Sequence, residues 1–473
     1  MKNKIYTGVF CCLFLMGCGI PKLSQKTENK SVPISYAGNT DTINIATQSW
    51  RQFFTDPYLV SLIDTALINN QEMNILKQEI RIGNNEIMAK RGELFPSVNM
   101  GIGAGANKSA KYTLDGALEE NVPIVEGDEN PNIIPDYGLV FNTSWEVDIW
   151  RKLRNSRDAA TARYLASIEG QNFMKTLLVQ EVASSYYELL SLQSQAQIIQ
   201  EYITLQLNAL KTVKLQKEAG EVTQLAVQRF EGEVLKTKGL QFGINQRMIE
   251  TENKLNYLLG RYPQPISTNL QSFEANLPVD LSAGVPSQLL EHRPDIKAAE
   301  LNIIAANLDI KVAKAQFYPS LDISAGIGLQ AFNPAFLATA PESMLYSVAG
   351  DLITPLLNRK AIKANYLTAN SKQIQTIFNY QQTLLNAYIE TYNQVSKLDN
   401  LQSMYDLKTQ EVTVLDNAVS VSNDLFRSAR ADYMEVLMTQ RDALDAKIEL
   451  IEIKEQQFLS MISLYKACGG GWK

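Results

Sequence analysis

The stretch Leu94-Phe95-Pro96-Ser97-Val98-Asn99-Met100-Gly101-Ile102-Gly103-Ala104-Gly105-Ala106-Asn107 decides the fold, because here the apolar period changes from 3.6 to 2. Val98, Met100, Ile102, Ala104 and Ala106 alternate with Asn99, Gly101, Gly103, Gly105 and Asn107. The passage occurs twice. Asn84-Asn85-Glu86-Ile87 leading into Leu94-Phe95-Pro96-Ser97 recurs as Asn307-Leu308-Asp309-Ile310 leading into Phe317-Tyr318-Pro319-Ser320, 223 positions later. Leu321, Ile323, Ala325, Ile327 and Leu329 then alternate with Asp322, Ser324, Gly326, Gly328 and Gln330. Further on, Tyr257-Leu258-Leu259-Gly260 recurs as Lys466-Ala467-Cys468-Gly469, now 209 positions later. The offset falls by fourteen residues, so the first copy carries a longer loop between Pro96 and the helix that follows. Two copies of one unit, each helix, hairpin and then two helices, imply a body built by repetition, which suits a tube better than a reaction pocket.

The returning strands keep the period: Tyr137, Leu139, Phe141 and Trp145 against Gly138, Asn142, Ser144 and Glu146, then Met344, Tyr346 and Val348 against Leu345, Ser347 and Ala349. Runs of about ten residues with one apolar and one small or polar face fit either a soluble sandwich or the wall of a membrane barrel. Hairpins are expected over about residues 96–149 and 319–355. The loop of the first, 107–136, carries seven acids (Asp115, Glu119, Glu120, Glu126, Asp128, Glu129, Asp136) against Lys108 and Lys111. That of the second, 331–342, is shorter and uncharged except for Glu342.

A first helix, or a pair, is expected to start at Asp56-Pro57, where Leu59, Leu62, Ile63, Ala66 and Leu67 follow helical spacing, and to run towards Leu94. After each hairpin comes a far longer helical stretch, the two covering about residues 150–260 and 356–467. From Trp150 to Ala219 there is no proline and only Gly170 interrupts; from Leu356 to Ala429 there is neither. About seventy helical residues reach roughly 100 Å. Val182, Leu189, Ala196, Ile203 and Leu210 sit seven apart, with Leu192, Ile199 and Val213 three residues after members of that series, which is a coiled-coil seam. Tyr187, Leu190, Tyr202 and Leu205 add a second seam, so each helix is expected to have neighbours on both sides. The long helices end at Ala219-Gly220-Glu221-Val222-Thr223 and Ser428-Ala429-Arg430-Ala431-Asp432. Gly220 can take the left-handed conformation of a helix end, and Thr223 and Asp432 are expected to cap return helices of about 35 residues.

Ahead of Trp50 the chain reads as an export address. Lys2 and Lys4 precede the apolar run Ile5 to Met16, which is too short to span a bilayer and marks residues 1–17 as a signal peptide. Leu15-Met16-Gly17-Cys18 has the form of a bacterial lipobox with Cys18 as the lipidated residue; a plain secretory signal with a chance cysteine is the alternative. Residues 18–49, rich in Lys, Ser, Thr, Asn and Pro, are expected to form an extended tether before two structural repeats, 50–284 and 285–473. Cys11 and Cys12 leave with the signal and Cys18 is acylated. Cys468 then stands alone, with no disulfide framework. The net charge of −6 without basic clusters argues against a nucleic-acid partner.

Strand count forces assembly. Four strands cannot close a barrel, and an open sheet cannot stand in lipid with its edge groups unpaired. Bacterial single-chain barrels begin at eight strands. A homotrimer would supply twelve, and the same symmetry would join the helices into a second, helical cylinder.

At this point the chain resembles the TolC-like outer-membrane factors, in their lipoprotein branch (the OprM, CusC and NodT type). The resemblance rests on Trp50 with Asp56-Pro57-x-Leu59, on Trp145-Glu146-Val147-Asp148-Ile149-Trp150, and on Val285-Pro286-Ser287-Gln288-Leu289-Leu290-Glu291-His292-Arg293-Pro294-Asp295-Ile296. It ends on Tyr465-Lys466-Ala467-Cys468-Gly469-Gly470-Gly471-Trp472. It implies a mainly α trimer, with a 12-stranded outer-membrane β-barrel continuous with a long periplasmic α-barrel. The implied role is a passive exit duct for small molecules. Its periplasmic tip would dock a membrane-fusion adaptor, and an inner-membrane transporter of the RND type would supply the energy. It further implies a tip at Gly220, Glu221, Thr223, Ala429, Arg430 and Asp432, and a closed aperture near Glu435 and Met438. The family's tip glycine is present as Gly220 and replaced by Ala429 in the second copy, and Met438 stands where an aspartate is common.

Other motifs are structural on this reading. His292 lies beside Arg293, Pro294 and Asp295 in a segment where Ser287 is the expected N-cap and Pro294 a helix start, so Arg293 and Asp295 are expected to fix the link between repeats. The runs Gly101-x-Gly103-x-Gly105 and Gly469-Gly470-Gly471 lack the strand-loop-helix context and lysine of a phosphate cradle. The twelve methionines are scattered, with no His/Cys cluster, so no metal or cofactor is expected beyond the lipid on Cys18. No convergent nucleophile and base suggest an enzyme. A periplasmic coiled-coil lipoprotein acting as spacer or adaptor is the alternative. Which compound such a duct exports is not written in these residues.

Overall fold

The structure, a computed structural model, describes residues 20–36, 43–274, 282–355, 359–428 and 430–473. The signal segment 1–17, Cys18 and Ala429 lie outside the described residues. In chain order the main elements are α1 (Pro57–Asn69), α2 (Gln71–Gly92), β1 (Ser97–Asn107), α3 (Leu114–Asn121), β2 (Ile134–Val147), α4 (Lys152–Glu218) and α5 (Gln224–Leu258). They continue with α6 (Pro294–Ala315), β3 (Ser320–Ala331), β4 (Met344–Ile353), α7 (Lys360–Arg427) and α8 (Tyr433–Ala467). The outgoing helices hold 67 and 68 residues and the return helices 35 each, the proportion expected from the sequence. Between strands, the first hairpin has 26 loop residues (108–133) and the second 12 (332–343), a difference of fourteen that accounts for the fallen repeat offset.

The chain forms two compact units, and α4 and α7 contribute to both. One takes residues up to Thr27 with 82–164 and 301–377; the other takes 28–81, 165–300 and 378–473. In the first, the strands make one antiparallel sheet in the order β1-β2-β3-β4. At its foot Trp145 Nε1 donates to Leu94 O at 3.1 Å and Trp150 Nε1 to Pro319 O at 2.7 Å. The Asp148 carboxylate accepts from Leu153 N at 2.9 Å and Arg154 N at 3.0 Å, so it caps α4. This cap, with Arg151 at φ +60 just ahead, starts the helix at Lys152 rather than at Trp150. The acidic loop holds a short helix, which its charge and length alone do not announce. Thr113 Oγ1 accepts from Gly116 N at 3.2 Å, and that cap, with Asp115 in the first turn, starts α3.

In the second unit the seam residues are buried as the heptad spacing requires: Val182, Leu189, Leu192, Ile199, Ile203, Leu210 and Val213 are inaccessible or nearly so, while Ala196 is half-buried. In the second seam Tyr187, Leu190 and Tyr202 are buried and Leu205 half-buried. Gly170 does not break α4. At its start, α1 is capped by Asp56, whose Oδ1 accepts from Tyr58 N at 2.8 Å and whose Oδ2 accepts from Tyr186 Oη at 2.7 Å. Burial and this carboxylate both push the Tyr186 pKa up, so the hydroxyl stays a donor.

Among its described residues the segment expected to be an extended tether has only a single 3-10 turn, Ile45–Thr47, and no α-helix or strand, yet it is held down. In the first unit Ile20 and Leu23 pack on Phe317, Ala313 and Tyr366. In the second, Lys30 pairs with Glu300 at 2.7 Å, and buried Tyr36 stacks on Tyr388 at 5.4 Å. Its apolar residues, few against a polar background, supply the contacts that a composition-based reading overlooks.

Candidate functional site

Sheet register sorts the strand side chains, since residues directly opposite in an antiparallel pair share a face. Met100 pairs with Phe141, Phe141 with Ile327, and Ile327 with Tyr346. The next row on that face is Ile102, Leu139, Leu329 and Met344, and another is Val98, Thr143, Ala325 and Val348. The opposite face carries Asn99, Asn142, Gly326 and Ser347, and, nearer the foot, Glu146, Asp322 and Asp351. On the apolar face Tyr346 is 82%, Val348 80% and Ile102 76% exposed. A soluble sandwich would bury these rows under a second sheet, but all four strands lie in one sheet, so that alternative is set aside. A bilayer would cover them. β1 and β4 are the two edges, and among the described residues each has a strand neighbour on one side only.

At the turns, Gly220 has φ +80, and Glu221 N donates to Gln216 O at 2.9 Å, the long bond of a glycine-ended helix. In the second copy Arg430 N donates to Leu425 O at 2.9 Å, the same i to i−5 bond. Thr223 and Asp432 hold the N-cap positions of α5 and α8, but neither side chain caps as expected. Their backbone carbonyls take the Ala226 and Glu435 N–H groups instead, the donors a capping side chain would engage. Behind the turns, Leu210 and Val213, Ala226, Val227 and Phe230, Phe426, and Val436 and Leu437 form one apolar cluster drawn from α4, α5, α7 and α8. The structure thus seats both turns on a common core. Gly220, Glu221, Thr223, Arg430 and Asp432 are exposed there, as are Glu435 and Met438 one helical turn apart on α8.

The segment linking the repeats is organised around Arg293, 4% exposed. Its guanidinium donates to Asp295 (Nε–Oδ1 3.0 Å, Nη2–Oδ2 2.7 Å), to Glu390 Oε2 at 3.0 Å and to Ala467 O at 2.9 Å, the last carbonyl of α8. Burial opposes its charge, but the two carboxylates more than compensate and hold its pKa above the ordinary value. Lys466 also pairs with Glu390. Pro294 is the first residue of α6, where its missing N–H is harmless. Ser287 is not the N-cap expected; it lies inside a single 3-10 turn, Pro286–Gln288, and the cap position falls on Val285.

Sequence reasoning missed that this latch exists twice. The 223-residue offset maps Asn70 onto Arg293, and the 209-residue offset maps Leu258 onto Ala467. Asn70 Nδ2 donates to Leu258 O at 3.0 Å, the counterpart of the Arg293 bond, and satisfies a helix-end carbonyl of α5. The glycines agree. A Cβ on Gly260 (φ +66) would lie 2.5 Å from Asn69 O, and one on Gly469 (φ +95) 2.7 Å from His292 O, again equivalent residues. Gly470 presses on the Tyr465 ring, and Trp472 Nε1 donates to Gly469 O at 3.0 Å, so the glycine run closes the latch. Cys468 is buried within it, its thiol pushed up to about 12 by burial. Gly260→Ala and Gly469→Ala should each lower stability by about 2 kcal/mol or more, through the left-handed backbone and the carbonyl clash. Thermal melts of the two variants check this, and shifts confined to one copy would contradict the equivalence.

Among the described residues no helix is long and apolar enough to cross a membrane. A profile of the family described as outer membrane efflux protein matches residues 62–261 and 285–470, one span per repeat. The chain is 27% identical to the cation efflux system protein CusC of Escherichia coli, over 98% of both chains. It is 25% identical to the pyoverdine export outer membrane protein OpmQ of Pseudomonas aeruginosa, over 100% of this chain and 98% of that one. The open-state crystal structure of the Neisseria gonorrhoeae MtrE outer membrane channel superposes with a TM-score of 0.83 at 21% identity, covering 96% and 99% of the two chains, which shows the fold. Repeated architecture, a sheet with one lipid-compatible face and a profile match across both halves agree: the chain belongs to the outer membrane efflux protein family, and is an efflux channel of the outer membrane.

Proposed function

We propose that three copies of this chain close one continuous conduit, a passive exit duct for small molecules leaving the periplasm or an inner-membrane transporter. The observation that carries the reading is the four-stranded sheet with one apolar face and two unpaired edges. A heptad-spaced stripe of exposed apolar residues on α7, Leu407, Val414 and Val421, supports a helical seam with a neighbouring copy. The repeats, 50–284 and 285–473, supply quasi-equivalent halves of each wall segment. The turns that hold Gly220, Glu221 and Thr223, and Ala429, Arg430 and Asp432, dock a periplasmic adaptor. Glu435 and Met438, just inside them, line the closed aperture. Acyl chains on Cys18 anchor the chain beside its own barrel, and an inner-membrane pump, of the RND type, supplies the energy. No catalytic step or cofactor enters this reading. CusC and OpmQ carry different cargo by name, which accords with selection of the exported compound by the pump.

In planar bilayers the purified protein should conduct poorly, and Glu435→Ala combined with Arg430→Ala should raise single-channel conductance several-fold by loosening the tip. Chemical crosslinking should give trimers, and Cys18→Ala protein should still require detergent, unlike a periplasmic spacer. Monomers in detergent with no conductance from the tip variant would remove the duct reading.

A further inference from the structure

A cavity of about 420 Å3 opens at the foot of the sheet, where β2 leaves and β3 begins, bounded by Trp150, Arg151, Lys311, Lys314 and Tyr318. Its aromatic side is rigid: the Trp150 and Tyr318 rings stack at 4.7 Å, and the Trp150 indole is tied to Pro319 O. Its other side is cationic. Arg151, Lys311 and Lys314 are all exposed, and among the described residues none is paired with a carboxylate, while Asp158 on the cavity wall is engaged by Arg157 at 2.6 Å. Arg151 has φ +60, a left-handed conformation that any residue with a Cβ adopts at a cost and that glycine would adopt freely. The position therefore keeps a charged side chain against the preference of its backbone, which points to a task for the charge.

What faces the cavity identifies the ligand. Lys314 and Tyr318 also line a second cavity, of about 620 Å3, whose far wall is residues 20–27 of the N-terminal segment. That segment starts two residues after Cys18 and is fixed here by Ile20 and Leu23 on Phe317 and Tyr366. The cationic cavity thus adjoins the path of the lipid anchor, below the last apolar row of the sheet, Val147, Leu321 and Leu352. Tryptophan and tyrosine beside lysine and arginine at the edge of an apolar band match the headgroup layer of a bilayer. We propose that this cavity binds the phosphate of an anionic glycerophospholipid headgroup, from the leaflet that carries the Cys18 acyl chains. The proposal rests on the outer-membrane reading above. Two lysines and one arginine supply the charge, Trp150 and Tyr318 cover the glycerol, and the acyl chains follow the apolar face.

The test uses the full-length protein in nanodiscs of phosphatidylcholine doped with phosphatidylglycerol, with retained lipid counted by native mass spectrometry. Phosphatidylglycerol should be held in preference, and the variant R151Q/K311Q/K314Q should bind it on the order of a hundredfold more weakly. K211Q/K238Q/K254Q, with the same loss of charge on exposed lysines elsewhere, should bind as the parent does. Arg151→Gly should weaken lipid binding while leaving thermal stability unchanged or raised; a fall in both would assign Arg151 a purely structural role and overturn its part. Equal retention of the two lipids overturns the proposal, as does inorganic phosphate binding as tightly as phosphatidylglycerol, which would make the ligand a free anion. Failure to enter nanodiscs at all, seen by gel filtration before any lipid is counted, would sink the membrane reading itself.

Discussion

Arg293→Ala should lower the stability of the folded chain by about 3–5 kcal/mol, the loss typical when one partner of a buried ion pair is removed. The side chain is 5% exposed, and its removal would strand Asp295 and Glu390, whose side chains are 16% and 29% exposed, along with the Ala467 carbonyl. Lys466 would remain to neutralise Glu390 in part, but nothing would replace the fork on Asp295. Arg293→Lys should recover only part of the loss, because an ammonium cannot reach three acceptors in one plane. The surface pair Arg51–Asp64 is the contrast, and Asp64→Ala should lie within about 1 kcal/mol of the parent. Thermal melts and yield of folded protein in the membrane fraction read the series. Equal effects at Arg293 and Asp64 would show that the latch is not what joins the repeats.

The second large effect concerns the sheet. Ile327→Arg places a charge mid-strand on the apolar face, between Phe141 and Tyr346, and should cost about 2–4 kcal/mol per chain if that face meets lipid. Asn142→Arg, paired with Asn99 and Gly326 on the opposite face, should stay within about 0.5 kcal/mol. The measurement is the fraction of each variant that resists unfolding in detergent and reaches the outer membrane. If both variants behave alike, lipid does not cover the face bearing Ile327.

Much of the architecture is legible in the residues because it is encoded locally. Alternation at Val98 to Asn107 and at Leu321 to Gln330 marks strands, and the change of repeat offset locates the long loop. Heptad spacing from Val182 to Leu210 marks the buried seam without help from tertiary contacts. Registers are different: that Phe141 faces Ile327 depends on pairing across β2 and β3, which no local period specifies. The latch was half visible. Arg293 stands out by its charge beside Pro294 and Asp295, whereas Asn70 is an ordinary polar residue whose partner, Leu258, lies 188 positions away. Only the two repeat offsets, applied together, would have revealed it. Caps failed for a further reason: Thr223, Asp432 and Ser287 have the right chemistry, but whether a side chain or a carbonyl takes the first free N–H is settled by backbone geometry. At the tip the turns are readable from Gly220, while an aperture is a property of facing copies rather than of one chain.

The unpaired borders at β1 and β4 have a genetic corollary. In the three-copy conduit proposed above, each junction between β1 and β4 would join separate polypeptides, so a lesion on either border would be inherited by each pore that recruits the faulty copy. In a cell making sound and faulty chains equally, most mixed pores would be spoiled, and such alleles should act dominantly. A lesion such as Arg293→Ala, which removes the chain before it meets its fellows, should instead be recessive.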